Sequence, residues 1–180
     1  QPSSGEVLDA YPILIAEVML QQTQLRVVIP YWEKWMKTFP TLEDLVNADI
    51  QQVLFIWQGL GYYSRALRLH QAAKVLFASI ETQHLSGPTV WPRDLEVWMA
   101  LPGVGRTTAA SIVSSAFDCP SPILDGNVKR LLARLCATEI APQKDLARFW
   151  EISKHLLDVE QPRKFNQALM DLGANICRPS

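Results

Sequence analysis

Apolar residues recur at helical spacing along almost the whole of this chain, and that periodicity restricts the possible folds more than any other feature of the sequence. Residues 64–80 place their apolar side chains on one stripe of a helix and their charged side chains off it. Residues 127–137, 145–157 and 163–176 follow the same rule. No segment combines the alternating pattern of a strand with turn residues on both sides. The sequence therefore predicts an all-α fold.

Capping and turn residues locate the helix ends and the loops. Thr41 is predicted to be an N-cap and is followed three residues later by an acid, Asp44. Residues 49–52, Asp-Ile-Gln-Gln, resemble a capping box in front of another apolar helical run. Proline-containing segments at 88–92 and 118–123 predict loops. The first five residues also have the composition of a loop, and no signal peptide is recognised there.

Composition indicates a globular domain from a reducing compartment. Apolar residues make up 48% of the 180 residues and charged residues 19%, a balance that allows a sizeable core. The longest apolar runs, such as residues 13–16, are far shorter than the ~20 residues of a membrane-spanning helix, so no membrane partner is expected. The three cysteines are scattered, which argues against a disulfide framework.

The net charge by itself is mild evidence against a nucleic-acid partner. Its formal value is −1, whereas a basic domain is the usual expectation for such a protein. Basic side chains are nevertheless concentrated near the motifs described next, and they are Arg65, Arg68, Lys129, Arg130 and Arg134. Because the distribution of charge matters more than its sum, nucleic-acid binding stays open.

The segment at residues 101–108, Leu-Pro-Gly-Val-Gly-Arg-Thr-Thr, lies between two helical patterns at 95–100 and 108–117. Gly103 and Gly105 permit a tight turn with positive φ and leave backbone N–H groups uncovered. The following helix adds the positive end of its dipole, so the segment is suited to bind phosphate without regard to base sequence. The alternative is a plain connection between two helices that binds nothing.

Two carboxylates stand in unusual surroundings. Glu17 lies in an otherwise apolar segment, residues 13–20, and is either an exposed position or a carboxylic acid kept protonated in an apolar pocket. Asp125 comes just before a helix rich in basic residues and is either the N-cap of that helix or a charge that faces a ligand. From the residues alone, both readings stay open for each acid.

Several blocks of the sequence resemble one enzyme family. Residues 101–105 followed by 122–128, Pro-Ile-Leu-Asp-Gly-Asn-Val, resemble the hairpin-then-aspartate signature of the helix-hairpin-helix DNA glycosylase superfamily. Three further blocks are similar to its adenine glycosylase branch, the MutY type, and they are residues 17–24, 59–63 and 165–174. The resemblance extends from about Tyr11 to Cys177.

This resemblance implies a fold of two α-helical lobes with a DNA-binding groove between them. Residues 10–119 would form the helical lobe that contains the hairpin. Residues 1–9 together with 120–180 would form the second lobe, a truncated form of the family's iron–sulfur cluster lobe. Cys177 matches the first ligand of the family's [4Fe-4S] cluster, and a single thiolate cannot hold such a cluster. The chain is therefore either truncated or a divergent clusterless member.

The resemblance also implies a reaction, the hydrolysis of the bond between adenine and deoxyribose. Glu17 matches the general acid that protonates the adenine, and Asp125 matches the carboxylate that stabilises the sugar cation. Asn127 matches a polar partner in the active site. Thr107 stands where the endonuclease III type carries its Schiff-base lysine, so a monofunctional glycosylase is implied. Lys129 lies nearby and is assigned to DNA binding rather than to catalysis.

The remaining matches concern DNA. Leu20 would pack against the flipped adenine, which Gln167 would contact. A further group would wedge into the duplex beside the orphaned base, and its members are Gln22, Thr23, Leu60 and Tyr62. For Tyr62, ordinary core packing is the alternative.

The expected partner is double-stranded DNA that contains adenine opposite 8-oxoguanine or guanine, and the expected state is a monomer. The implied location is the cytoplasm of a bacterium, or the nucleus or an organelle of a eukaryote. A thymine- or uracil-mismatch glycosylase, an oxidised-pyrimidine glycosylase and a noncatalytic helix-hairpin-helix module remain alternatives. The presence of both Glu17 and Asp125 favours catalysis, because simple clamping of DNA needs neither.

Overall fold

The computed structural model of this chain describes residues 7–82, 90–139 and 142–177, and these residues form helices and loops without any strand. The all-α prediction is confirmed. The α-helices of the described residues are α1 (Ala10–Leu20), α2 (Leu25–Thr38), α3 (Leu42–Asn47), α4 (Ile50–Trp57), α5 (Ser64–Glu81), α6 (Leu95–Met99), α7 (Arg106–Phe117), α8 (Gly126–Leu135), α9 (Leu146–Leu156) and α10 (Pro162–Asp171). A 3-10 turn at Pro142–Lys144 precedes α9, and a π-helical turn at Leu172–Ile176 continues α10.

The chain divides into two compact units, Asp9–Thr108 on the one hand and Gln1–Leu8 with Ala109–Ser180 on the other. The division falls inside α7, whereas the sequence predicts a boundary at residue 119. Hydrogen bonds explain the difference. The Ala116 carbonyl accepts one from the Leu8 N–H at 2.8 Å and one from the Arg163 guanidinium at 3.3 Å, so the second half of α7 is tied to residues of the unit that contains Leu8 and Arg163.

The core of the Asp9–Thr108 unit is built on aromatic side chains. Trp35 packs edge to face against Phe39 and Trp57, with ring centroids 5.1 and 5.7 Å apart. The Tyr11 hydroxyl donates to the Phe39 carbonyl at 2.8 Å and accepts from the Trp35 indole at 3.2 Å, so both buried polar groups are satisfied. Burial raises the pKa of Tyr11 well above its usual value. Helix α1 packs here against α2 and α5, and Glu17 is its single charged residue.

In the second unit, side chains from two helices fix the segment that leads to α8. Ser153 on α9 donates to the Ile123 carbonyl at 2.7 Å, and Asn166 on α10 donates to the Ser121 carbonyl at 2.8 Å. Ser153 and Asn166 are both buried, at 1% and 2% exposed. The predicted loop at 118–123 is therefore confirmed as irregular backbone, and it is held by tertiary contacts.

Some of the predictions about helix ends and loops are confirmed, and others differ from the structure. Thr41 is confirmed as an N-cap, and it forms a capping box, because Thr41 and Asp44 each accept a hydrogen bond from the other's backbone N–H. At residues 49–52, where the capping box was predicted, Asp49 instead caps α4 by accepting the Gln51 N–H at 2.7 Å. The helix predicted at 163–176 ends as an α-helix at Asp171 and continues as the π turn. The loop predicted for the first five residues lies outside the described residues, as does part of the loop predicted at 88–92. Among the described helices, none is both long and apolar enough to cross a membrane.

His70 on α5 is a buried titratable group whose surroundings disfavour its charged form. It is 5% exposed, and no described residue forms a hydrogen bond with its Nε2. Burial lowers the pKa of His70 below its ordinary 6.5, and Lys74 lowers it further, although the carbonyls of Leu45, Val46 and Ala48 oppose the shift. The imidazole of the folded chain is therefore neutral at pH 7.

Stability should depend on pH through His70. In the unfolded chain the ring takes up a proton below pH 6.5, whereas the folded ring resists it. The free energy of unfolding is therefore highest above this pH and falls as the pH decreases, by up to ~1.4 kcal/mol per pH unit from this group. The free energy of unfolding, measured with denaturant at pH values between 7 and 5, should fall less steeply with decreasing pH for His70→Gln than for the parent. His155→Gln, at an exposed histidine of α9, is the matched control. Equal slopes for the parent and His70→Gln would contradict the assignment.

Candidate active site and nucleic-acid interface

Glu17 lies in the last turn of helix α1, which ends at Leu20. Glu17 is half-buried, so the structure places it neither in a closed pocket nor fully in solvent. Leu20, the last residue of α1, lines an apolar cavity of about 250 Å³ together with Ala16 and residues of α2 that include Leu25 and Trp32. The residue predicted to pack against a base thus faces a cavity with a mostly apolar lining.

Arg65, at the start of α5, connects the end of α1 with the loop that precedes α5. Its Nη1 donates to three carbonyls at that end, those of Val18 (3.1 Å), Met19 (2.7 Å) and Gln21. Its Nη2 donates to Thr23 Oγ1 (3.0 Å) and to the carbonyls of Leu60 (3.4 Å) and Gly61 (3.3 Å). Carbonyls at the end of a helix lack partners within it, and a cation is favoured there. Arg65 therefore closes α1 and binds the second loop at the same time.

The loop at residues 59–63 has an unusual backbone. Gly59 and Gly61 have φ values of +99° and +79°, and a Cβ on Gly59 would lie 2.2 Å from the Tyr31 hydroxyl. Tyr62 follows with φ +48° and a side chain that is 61% exposed. A bulky residue with positive φ is uncommon, and such strain is found at functional sites. The structure excludes ordinary core packing for Tyr62.

Other predicted wedge residues are placed differently. Gln22 resembles Tyr62, because it is exposed and has φ +58°. Thr23 is half-buried and accepts the hydrogen bond from Arg65. Leu60 is only 6% exposed, so in this structure its side chain anchors the loop from inside. The structure thus brings together the Gln22 and Tyr62 loops, with Thr23 and Leu60 beneath them.

The hairpin is present as predicted, with α6 before it and α7 after it. Val104 donates its N–H to the Leu101 carbonyl at 3.1 Å, and Gly103 between them has φ +80°. Gln21 reaches the hairpin from the end of α1, and its Nε2 donates to the Gly103 carbonyl at 3.1 Å and to Thr108 Oγ1 at 3.3 Å. Sequence reasoning assigned no role to Gln21.

The two hairpin glycines are not equivalent. A Cβ on Gly103 would lie 3.0 Å from the Arg68 Cβ, in addition to the strain of its positive φ. Gly105 has no positive φ, and a Cβ there would meet open space. The positive φ predicted for the turn is therefore found at Gly103 and not at Gly105. Both residues are exposed, so the backbone between them is accessible to a ligand.

Asp125 is the N-cap of α8, as one of its two readings proposed. Its Oδ1 accepts the Val128 N–H at 2.7 Å, and its Oδ2 accepts from Asn127 Nδ2 at 3.5 Å. The side chain is half-buried rather than enclosed. Capping and contact with a ligand are compatible, because a carboxylate has two oxygens and about four acceptor sites.

Asn127 is fixed by a network that sequence reasoning missed. Arg130 Nη2 donates to Asn127 Oδ1 at 2.9 Å and to the Gly173 carbonyl at 2.6 Å. Gly173 lies in the π turn so close to Asn127 that a Cβ would meet its backbone at 3.0 Å. A π turn often marks a functional site. The network therefore joins the segment that contains Asp125 and Asn127 to the end of the described chain.

The remaining predicted residues are spread over both units. Thr107 lies in the first turn of α7, and Lys129 in α8; both are half-buried. Gln167 is exposed on α10, where its Nε2 donates to Asp171 Oδ1 at 2.9 Å. The amide predicted to contact a base is thus engaged with a neighbour on its own helix.

Cys177, the predicted cluster ligand, is buried. Its Sγ accepts from Arg134 Nη1 at 3.1 Å, and its carbonyl accepts from Arg130 Nε at 2.7 Å. Throughout residues 7–82, 90–139 and 142–177, no three potential metal-ligating side chains lie together. The described residues therefore do not make a complete iron–sulfur site.

Comparison with known proteins connects this arrangement to DNA repair. A family model described as HhH-GPD superfamily base excision DNA repair protein matches residues 15–154. The chain is 43% identical to the adenine DNA glycosylases of Rattus norvegicus and Homo sapiens over 173 residues, which cover 94% of this chain and 32% and 30% of those proteins. Identity to the adenine DNA glycosylase of Schizosaccharomyces pombe is 41%, over 94% of this chain and 36% of that protein. The chain thus spans about a third of the length of these curated relatives.

Solved structures agree in fold. A thermostable thymine-DNA glycosylase superposes with a TM-score of 0.83 and 27% sequence identity, over 97% of this chain and 78% of that one. Endonuclease III in a non-covalent DNA complex superposes with a TM-score of 0.82 at 20% identity, over 99% of this chain and 80% of that one. The second likeness shows the shared fold alone.

Alanine substitutions at the two hairpin glycines should have different effects, one on the free energy of unfolding and the other on DNA binding. Gly103→Ala should lower the free energy of unfolding by roughly 1–2 kcal/mol, because alanine must adopt a left-handed conformation. Gly105→Ala should leave stability nearly unchanged but weaken binding to matched and mispaired duplexes alike, since a methyl group obstructs phosphate at an accessible backbone. Thermal unfolding and fluorescence anisotropy measure the two effects. A Gly105→Ala variant that weakens binding to only one kind of duplex would contradict a phosphate contact there.

Proposed function

This chain belongs to the HhH-GPD superfamily of base excision DNA repair proteins, and from that membership we propose that it is the catalytic part of a monofunctional adenine DNA glycosylase. The proposed substrate is adenine paired with 8-oxoguanine or guanine in double-stranded DNA. The observation that carries this proposal is the 43% identity, over 94% of this chain, to proteins named adenine DNA glycosylase. The family match at 15–154 includes Glu17, Thr107, Asp125 and Asn127.

The proposed reaction is hydrolysis in two stages. The bond between adenine and C1′ of the sugar breaks first, and its electron pair leaves with the base. The sugar becomes an oxocarbenium-like cation, to which water adds with loss of a proton. The products are free adenine and an abasic site. Adenine is a poor leaving group and the cation is unstable, so the chemistry needs one acid and one anion.

Glu17 is the proposed acid. It is the single charged residue in α1, and its side chain is half-buried. It would transfer a proton to a ring nitrogen of adenine as the bond breaks. Leu20, one turn further along α1, would pack against the base in the apolar cavity, and Gln167 would contact its edge.

Asp125 is the proposed anion for the sugar cation. Its Oδ1 is occupied by the α8 N-terminus, which fixes the carboxylate in one orientation. The other oxygen has only the long contact to Asn127 among the hydrogen bonds described above, and it can be directed at a developing positive charge. Asn127, held by Arg130, would keep that oxygen in place.

Extrusion of the adenine is assigned to the exposed side chains of Gln22 and Tyr62. The tyrosine ring would stack in the duplex beside the unpaired base, a contact that offsets part of the few kcal/mol that flipping costs. Gly103 and Gly105 would bind backbone phosphate, with Lys129 as a further DNA contact. Cys177 would provide one ligand of a [4Fe-4S] cluster, as the resemblance to the family implies.

Excision should be specific for mispaired adenine and should depend on Glu17. The full-length protein should release adenine opposite 8-oxoguanine and guanine, but not from A:T pairs. It should leave the DNA strand intact until alkali is added, because Thr107 stands in place of the Schiff-base lysine. Glu17→Gln keeps the shape but supplies no proton, so the single-turnover rate should fall by about 10²–10⁴-fold with little change in DNA affinity. Gel assays on the separate duplexes and anisotropy measure these quantities.

The same assay tests the rival substrates. A duplex with thymine opposite guanine serves as the comparison, because a thymine-DNA glycosylase superposes closely on this chain. Release of thymine without release of adenine would replace the proposed substrate. A Glu17→Gln variant that cuts adenine at a rate within a few-fold of the parent would remove the proposed acid.

A substitution at Asp125 can separate the effect of helix capping on stability from the effect of the negative charge on excision. Asparagine caps a helix about as well as aspartate, so Asp125→Asn should retain the thermal stability of the parent. It lacks the negative charge, so single-turnover excision should fall by about 10²–10³-fold. Asp49→Asn, at the N-cap of α4, is the matched control and should change neither quantity. If Asp125→Asn cuts at the parent rate, Asp125 serves as a helix cap alone.

A further inference from the structure

Arg65 lies beneath the two strained and exposed loops to which duplex opening has been assigned. Arg65 is 8% exposed, and six oxygen atoms accept hydrogen bonds from its guanidinium. The acceptors fall into two groups, one at the end of α1 up to Thr23 and the other in the Leu60–Gly61 segment. A single planar cation thus holds two stretches that are about forty residues apart in sequence.

The backbone next to each group of acceptors is strained. Gln22 has φ +58° and lies between Gln21 and Thr23, which both bind Arg65. Tyr62 has φ +48° and follows Gly61, whose carbonyl also binds Arg65. Conformations of this kind persist only where surrounding contacts enforce them. Hydrogen bonds to the Arg65 side chain are a kind of contact that the neighbours of both residues share.

Arg65 also contacts the wedge side chain itself. The guanidinium carbon lies 5.4 Å from the centroid of the Tyr62 ring and 5.3 Å from that of Trp57. Trp57 is fully buried, and its indole donates to the Gly61 carbonyl at 2.9 Å. The cation is therefore placed between a fixed ring and an exposed one, and the cation–π contact restricts the Tyr62 ring while most of its surface stays accessible.

We propose that Arg65 is a positioning residue for duplex opening, which sets the Gln22 and Tyr62 side chains at a fixed separation before DNA binds. This inference rests on the function proposed above. A rigid pair of side chains enters a duplex without first losing conformational freedom, so the gain is in base extrusion rather than in the affinity for DNA. Affinity comes from phosphate contacts elsewhere, including those proposed for the hairpin.

Arg65→Lys tests the proposal in the full-length protein. Lysine keeps the charge, but its single ammonium group cannot span both sets of acceptors. In the free protein, amide hydrogen exchange should rise in residues 18–23 and 59–63. With a duplex that carries 2-aminopurine beside the target adenine, the fluorescence rise on base extrusion and the single-turnover rate should both fall by about tenfold to 100-fold. The dissociation constant should stay within about threefold of the parent, because backbone contacts are unchanged.

Two further variants keep the test decisive. Leu76→Val changes a buried residue of the same helix away from both loops, and at comparable thermal stability it should keep the parent fluorescence rise and rate. Thr23→Val removes one acceptor without touching Arg65 and should give a smaller loss in the same direction as Arg65→Lys. If Arg65→Lys extrudes the base like the parent, or if Leu76→Val loses as much, the inference is wrong. If the parent itself neither extrudes nor excises the adenine, the proposed function fails instead.

Discussion

The structure of the Asp9–Thr108 unit near its candidate residues depends on the hydrogen bonds between the Arg65 guanidinium and backbone carbonyls. Burial lowers the pKa of this side chain, yet arginine does not lose its proton in proteins, so the charge must be neutralised by dipoles. The dipoles are the carbonyls at the end of α1 and in the loop before α5. Removing a buried charged partner leaves polar groups unsatisfied, which is costly in free energy. The positions of the Gln22 and Tyr62 loops therefore follow from a requirement of stability.

Each of the two candidate acids is connected to a helix end. Glu17 lies within the last turn of α1, whose terminal carbonyls are bound by Arg65, and Asp125 begins α8. A carboxylate at a helix N-terminus is stabilised by the helix dipole and by the N–H groups, which keeps Asp125 in one place. Capping therefore gives the carboxylate an orientation that a flexible surface acid would lack. In this chain, the structural and the catalytic interpretation of Asp125 do not compete.

The second unit applies the same principle with a different arginine. Arg130 donates to Asn127, to the π turn and to the carbonyl of Cys177, so the motif that contains Asp125 is attached to the end of the described chain. The close approach of Gly173 to Asn127 leaves no room for a side chain. Any residue other than glycine would have to displace the backbone beside the candidate site, because the contact is with main-chain atoms. Packing in this unit thus bears directly on the orientation of Asn127.

Features that depend on neighbours in the sequence were predictable, namely the helical stripe of α5, the N-cap at Thr41, the Asp125 cap and the hairpin between α6 and α7. Helical periodicity and capping act over three or four residues, so a sequence contains all that they require. Tertiary structure alone decided the rest. It buried Leu60, made Gly103 rather than Gly105 the strained glycine, placed Gln21 against the hairpin and gave Arg65 acceptors 42 to 47 residues earlier in the chain. Contacts over such separations leave no periodic trace in a sequence, because they depend on how the helices pack.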